Sequence, residues 1–197
     1  MTHDVERTAL KEWAVLVNAM ARGDIIAMVR KGGIREQRAG FTVRHDRFLL
    51  YPTYFHENPG HLAQRFHPML ASAHEHRPAS GMIRIAYMAE VLAVWNVTDA
   101  SVLPSIAHEH GLAPIAVESR FRYRDKPYVR VIAVRTLALA RPVEMPEAPR
   151  YAGCVSWLEL DLDVEVDGAQ AVVPSDVLDS RFARLKSLLG DPERDQP

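Results

Sequence analysis

The sequence predicts an α+β fold in which antiparallel strands dominate and short helices lie on the outside. Segments rich in β-branched and aromatic residues recur between turn residues, whereas helical spacing is confined to short stretches. The 197 residues are enough for one sizeable core. Only residues 141–149, with three prolines, resemble a spacer. We expect one domain over residues 1–160, and an acidic hairpin plus helix over 161–197 that packs on it or forms a small appendage.

The first half of the chain is predicted to begin with a helix. Apolar residues from Leu10 to Met20, including Trp13, fall at helical spacing, and Gly23 is expected to end the helix. The elements expected next are a buried strand at 25–30, a turn at 31–33, a hairpin over 41–52 and a helix that starts at 58–59.

The second half is predicted to be richer in strands. Residues 82–97 read as one bent strand or two short ones, followed by a short helix that ends at Gly111. Residues 117–124 and 128–139 are expected to form a hairpin around 125–127. The remaining predicted elements are a strand at 154–160, a turn at Asp167-Gly168 and a last helix capped by Ser175 or Asp176.

The net charge of −1 conceals an uneven distribution of charge along the chain. Residues 22–47 hold seven Arg or Lys against three acids, and residues 120–135 hold six against one. Residues 159–179 hold seven acids and no base. The local electrostatic potential therefore matters more than the net charge of the chain. The two basic stretches indicate an anionic partner.

Several protein classes do not fit the sequence. The single Cys154 cannot form an internal disulfide, which is typical of a reducing compartment. The charged N-terminus is unlike a signal peptide, and no apolar run is long enough to span a membrane. We therefore expect a cytoplasmic protein with no membrane partner.

The first basic stretch contains a candidate phosphate site. Arg30, Lys31, Gly32 and Gly33 directly follow a predicted strand, and glycine N–H groups beside cations can hold an anion. The stretch matches neither a P-loop nor a dinucleotide fingerprint. A tight turn with solvated charges is the alternative interpretation.

Further residues favour nucleic acid as the ligand of this site. Cations that hold a backbone beside rings that stack on bases are typical of nucleic-acid binding. On a predicted strand, Arg120, Arg122 and Arg124 share one face and would form a track for a polyanion. Arg35 and Arg44 are also predicted to contact the nucleic-acid backbone. The predicted base pocket comprises Trp13, Tyr54 and His56. Trp13 also fits a helix core.

The sequence contains no convincing catalytic or metal motif. Five histidines lie within 21 residues, His56, His61, His67, His74 and His76, but their spacing is irregular. We predict neither a metal nor a cofactor. An acid–base cluster formed by Lys31, Glu36, His45 and His56 stays open as an alternative.

A motif series resembles a known family. The family pattern is Lys-x-Trp, a helix, Arg-Lys-Gly-Gly-Ile, then Phe-Leu, an aromatic, Pro-Thr, an aromatic and a final His. The matching residues are Lys11, Trp13, 30–34, Phe48, Leu49, 51–54 and His56. This resembles the family catalogued as domain of unknown function 1802. The resemblance implies no established activity, although some members are associated with restriction-endonuclease-like domains.

A second resemblance concerns the fold. PUA-like barrels, including ASCH and EVE domains, also begin with a helix, a glycine and a strand that ends in arginine. Gly23 and Arg30 match this order, whereas the Lys and Glu of the ASCH motif are Ile25 and Met28 here. The resemblance implies a PUA-like β-barrel that binds RNA or a base flipped out of duplex DNA.

The leading prediction is a nucleic-acid-binding domain, which reads a modified or flipped base in a restriction context with a restriction-type protein partner. One alternative is an enzyme acting on a nucleotide or small phosphorylated substrate, with Arg30, Lys31, His45 and His56 as catalytic residues. The other is a protein–protein adaptor that uses the acidic segment at Glu159, Asp161 and Asp163. Neither DNA nor RNA, nor an oligomeric state, is specified.

Overall fold

The computed structural model describes residues 4–31, 42–55, 57–75, 77–153 and 155–193. Its strands are β1 (Val5–Trp13), β2 (Ala27–Arg30), β3 (Arg47–Thr53), β4 (Met82–Val97), β5 (Val129–Pro146), β6 (Trp157–Glu165) and β7 (Gln170–Ala171). Its α-helices are α1 (Ala14–Ala21), α2 (His67–Glu75), α3 (Pro114–Arg122) and α4 (Ser175–Leu189). Short 3₁₀ turns connect several of them.

The seven strands form one sheet with the order β2-β5-β4-β3-β1-β6, and β7 pairs with β5. The α+β class is confirmed, and every pair is antiparallel except β1 with β3. The predicted closure into a barrel is not observed, because no ladder joins β2 to β6 among the described residues. Side chains and loops cover the free edge of β2 instead. Ala27 N donates to Glu109 O, and Arg120 donates to Val29 O.

The β4–β5 ladder is the longest in the sheet. Residues 82–97 form one continuous strand, which confirms the single bent strand among the two predicted alternatives. The register shifts between Ile85 and Tyr87 and again between Val91 and Ala93. Such bulges bend a strand and increase its twist, so this ladder curves the sheet.

The N-terminal helix was predicted to start too early. Residues from Val5 to Trp13 form β1, and α1 begins only at Ala14. Ala9 and Leu10 are fully buried and pair in parallel with Leu49 and Leu50 of β3. Burial of both strand faces removes the alternation that marks a strand. The predicted end is confirmed, since Gly23 follows α1 with φ of 74°.

Two predicted hairpins are also wrong. The segment before residue 125 is helix α3, because Pro114 occupies its first position and Ala116, Val117 and Phe121 bury one helical face. Arg124 and Asp125 then have positive φ, 59° and 53°, and reverse the chain. In the predicted hairpin over 41–52, only β3 is a strand within the described part, and its partners are β1 and β4.

The C-terminal part packs on the same sheet. Strand β6 pairs with β1 across the predicted boundary at residue 160, and the turn at Asp167-Gly168 is confirmed. The predicted last helix is α4, which begins at Ser175 without a side-chain cap. Trp95 Nε1 donates to Gly190 O at 2.9 Å, just beyond α4. No helix within the described ranges is long and apolar enough to cross a membrane.

Candidate functional site

A cleft of about 420 Å³ opens where β1, β2 and β3 end. Its cationic lining residues are Lys11, Arg30, Arg77 and Arg120. The aromatic and acidic side chains that line it are Trp13, Tyr54, Phe55, Glu12 and Glu147. Among the described lining residues, four cations against two carboxylates make the cleft electropositive, while the rings provide an apolar surface.

Parallel pairing of β1 with β3 places the aromatic residues together. Trp13 and Thr53 are register partners at the last residues of the two strands. Because parallel strands end at the same edge of a sheet, the chain that leaves β3 carries Tyr54 and Phe55 toward Trp13. The exposed fraction of Phe55 is 66%, so much of this residue faces solvent at the cleft.

The inner part of the cleft contains a buried ion pair beside a second arginine. Arg30 Nη1 lies 3.1 Å from Glu12 Oε2, and the exposed fractions of the two side chains are 13% and 4%. Arg120 lies over the Trp13 ring, with Cζ 5.7 Å from the centroid. Burial lowers the pKa of Arg120 to about 10; Glu12 opposes this effect and Arg30 adds to it. Glu12 therefore pairs with Arg30 and offsets the charge of Arg120 only through space, which leaves positive charge for an anion.

Arg77 and His74 contact the Tyr54 ring at the rim of the cleft. Arg77 Cζ lies 4.6 Å from its ring centroid, and the His74 ring lies 5.5 Å away at 59°. Burial raises the pKa of Tyr54, whereas the charge of Arg77 lowers it. The same histidine, His74, also places its Nε2 2.9 Å from the buried Glu57 carboxylate. Glu57 also accepts from Val15 N at 2.9 Å and so caps α1.

The structure brings together four predicted site residues, namely Arg30, Arg120, Trp13 and Tyr54. Lys31 does not line the cleft. Its ammonium donates to the carbonyls of Phe121, Lys126 and Tyr128 and lies 3.7 Å from the Tyr128 ring centroid. Burial lowers its pKa, and Lys126 adds to this effect. Lys31 thus holds the loop after α3 against the end of β2.

The remaining predicted residues lie elsewhere or outside the described ranges. The prediction that Arg120, Arg122 and Arg124 share a strand face is wrong, because α3 ends at Arg122 and Arg124 lies in the following turn. Arg122 is exposed and pairs with Glu118 at 3.0 Å. Arg44 is exposed before β3 and does not line the cleft. The predicted residues that lie outside the described ranges are Gly32, Gly33, Arg35 and His56.

The sequence prediction missed several lining residues, chiefly Lys11, Glu12, Arg77 and Glu147. Lys11 and Glu12 were assigned to a helix, and only the strand β1 orients them toward the cleft. Arg77 and Glu147 follow α2 and β5, far from the basic stretches along the chain. The Lys-x-Trp motif was the one sequence signal that pointed to this edge.

The alternative sites are not assembled in the described part of the chain. Among the proposed catalytic residues, Arg30 lines the cleft, whereas the His45 ring lies 5.2 Å from Trp157. His61 stacks on Trp13 at 6.4 Å, and the described ranges contain no cluster of three metal-binding side chains. Each acid of β6 pairs with an arginine of its own chain: Glu159 and Asp163 with Arg7, Asp161 with Arg150, and Glu165 with Arg141.

The fold and the cleft define a mixed α+β protein with an electropositive, aromatic-lined cleft at one edge of its sheet. A family model described as domain of unknown function (DUF1802) matches residues 9–186, so the chain belongs to this family. This confirms the motif resemblance. Among curated proteins, none matches the chain significantly.

Two crystal structures from Zymomonas mobilis are similar to this chain. The structure of ASCH is 13% identical with a TM-score of 0.46 and covers 94% of this chain and 97% of its own. The structure of a ZmASCH point mutant is 10% identical with a TM-score of 0.47 and covers 93% of this chain and 99% of its own.

Proposed function

We propose that the protein binds nucleic acid and that the cleft accepts one unstacked base with its adjoining phosphate. The observation that supports this proposal is the convergence of Trp13, Tyr54 and Phe55 with Arg77 and Arg120 around a single cleft. Rings stack on any base, and guanidinium groups hold the backbone. The combination suits a nucleotide better than an anion alone.

The available positive charge supports a phosphate contact in the cleft. Many arginines elsewhere are neutralised by acids of the same chain, as Arg47 is by Asp4 at 2.6 Å. Within the described ranges, Arg77 and Arg120 form no ion pair within 4 Å, and both line the cleft. These two guanidinium groups are the proposed phosphate ligands.

The size of the cleft supports binding of a single base. A volume of about 420 Å³ lies within the range for compact ligands and excludes a duplex. A base from a duplex would therefore have to be flipped out, whereas a single strand could enter directly. Recognition of a modified base, and a role in restriction with a protein partner, are finer proposals that rest on the sequence resemblances.

The proposal is tested by fluorescence anisotropy with short single-stranded and double-stranded DNA and RNA at two salt concentrations. We expect binding to single strands that weakens as salt increases, because phosphate contacts release counterions. Mismatched duplexes, in which a base flips more readily, should bind more tightly than matched ones. Absence of binding at low salt, or affinity that does not change with salt, contradicts the proposal. Binding of a mononucleotide alone favours the alternative, an enzyme for a nucleotide or small phosphorylated substrate.

A further inference from the structure

Two carboxylates line the cleft, and they differ in what they already bind. Glu12 is engaged by its own chain. Its Oε1 accepts from Trp13 N at 2.9 Å, and its Oε2 accepts from Arg30 Nη1 at 3.1 Å. Its exposed fraction is only 4%, so Glu12 is an internal counter-ion and offers little to a ligand.

Glu147 has the opposite character. It is exposed and directly follows β5, where its backbone N donates to Gly81 O at 2.7 Å. Among the described residues its carboxylate forms no hydrogen bond and no ion pair, although four cations line the same cleft. Burial and then the charge of Glu147 raise the pKa of Tyr51, which indicates that the carboxylate lies near that buried ring. Glu147 is therefore an acceptor that is open to a ligand.

A carboxylate in a cleft for nucleic acid must face hydrogen-bond donors, because it repels phosphate. The available donors on a nucleic acid are the N–H groups of the bases and the sugar hydroxyls. A carboxylate accepts well from the exocyclic amino group of cytosine, as Glu and Asp do in other complexes. Uracil has the same ring but carries a carbonyl oxygen at that position, and its lone pairs would oppose those of the carboxylate.

We infer that Glu147 accepts a hydrogen bond from the exocyclic amino group of the bound base, so that the cleft selects amino-bearing bases over uracil and thymine. This inference rests on the proposed function and specifies its ligand class. Arg77 and Arg120 bind the phosphate, and the aromatic rings stack on any base. Glu147 discriminates between the bases. Cytosine is the sharpest example, because it differs from uracil mainly at this edge.

The test compares an eight-nucleotide oligocytidylate with an eight-nucleotide oligouridylate by fluorescence anisotropy. We expect the native protein to bind oligocytidylate about tenfold more tightly. The variant Glu147→Gln should bind the two within about twofold, because an amide rotates to present a donor or an acceptor. The matched control is Glu144→Gln, an exposed residue of the same region that pairs with Arg84 at 3.9 Å and does not line the cleft. It should retain the preference.

The outcomes separate this inference from the proposed function. Equal binding of both oligonucleotides by the native protein, or a preference that survives Glu147→Gln, overturns the role of Glu147 and leaves nucleic-acid binding intact. Binding of neither oligonucleotide overturns the role of Glu147, and it overturns nucleic-acid binding as well when the DNA and RNA panel also shows no binding at low salt. A preference that is lost in Glu147→Gln and kept in Glu144→Gln supports both.

Discussion

Arg30 at the end of β2 donates to Glu12 near the end of β1, with 3.1 Å between Nη1 and Oε2, although β5, β4 and β3 lie between these strands in the sheet. The sheet therefore curls far enough to bring the two strand ends together. Arg30 Nη1 also lies 3.2 Å from Lys11 O. Side-chain hydrogen bonds thus connect β2 to β1, as backbone hydrogen bonds would connect the first and last strands of a closed barrel. The cleft lies at this junction.

Removing one partner of this buried ion pair should be strongly destabilising. Replacing Glu12 with Ala leaves Arg30 buried without its carboxylate, and Arg120 loses the charge that offsets it. We expect the free energy of unfolding to fall by about 3–5 kcal/mol, measured by urea denaturation. The control Glu118→Ala removes an exposed partner of Arg122 and should cost less than about 1 kcal/mol. Equal losses in the two variants would show that the buried pair is not a stabilising contact.

Lys31 should contribute to the stability of the fold and not to ligand binding. Its Nζ lies 3.2 Å from Phe121 O and 2.6 Å from Tyr128 O, so Lys31→Met leaves these carbonyls without their donor. We expect a loss of about 2 kcal/mol in urea denaturation, and oligonucleotide affinity within about twofold of native where the variant is folded. The exposed Lys186→Met on α4 is the control for stability. A large loss of affinity in folded Lys31→Met would restore Lys31 to the phosphate site.

His110 should make stability depend on pH. It is 2% exposed, its Nδ1 accepts from Leu112 N at 3.2 Å, and its Nε2 has no partner in the described structure. Burial lowers its pKa from 6.5 to about 4, with Arg65 and Arg120 adding to the effect. The unfolded chain therefore binds more protons between these values, so the stabilisation is complete above pH 6.5 and is lost as the pH falls toward 4.

The expected loss from His110 over that interval is about 3 kcal/mol. Urea denaturation at a series of pH values measures it. His110→Gln should flatten the profile, whereas the exposed His108→Gln should leave it unchanged. Identical pH profiles for the native protein and His110→Gln would mean that His110 is not the responsible group.

Arg77 should contribute one phosphate contact. Arg77→Ala is expected to weaken single-strand binding by about tenfold and to reduce the slope of log affinity against log salt by about one. Arg122→Ala is the matched control, because this exposed arginine lies outside the cleft. If both variants weaken binding equally, the contact is diffuse and is not located in the cleft.

Phe55 provides a contrast with Arg77, because its contribution is stacking. Phe55→Ala should also lower affinity by about tenfold but should leave the salt slope unchanged. Tyr123→Ala, which removes another exposed aromatic ring outside the cleft, is the control. An altered salt slope in Phe55→Ala would indicate that the variant disturbs the neighbouring cations.

Local elements were predictable from the amino-acid sequence wherever several signals agree. The α+β class, the strand over β4, the glycine that ends α1 and the turn at Asp167-Gly168 were predicted because composition, periodicity and turn residues indicate the same structure there. The motif containing Lys11 and Trp13 also identified the family. For the candidate cleft, Arg30, Arg120, Trp13 and Tyr54 were predicted as site residues.

The meeting of these residues in one cleft depends on long-range strand pairing and packing. Residues 5–13 are a strand because β3 and β6 flank them, and Arg120 reaches the cleft because Pro114 and a buried helical face make its segment α3. Local pattern cannot specify such pairings, since they join residues far apart along the chain. Arg77 and Glu147 entered the site for the same reason. Burial then determined that the Lys31 ammonium is used up by carbonyls, whereas Arg77 lines the cleft and Arg120 lines it while also donating to Val29 O.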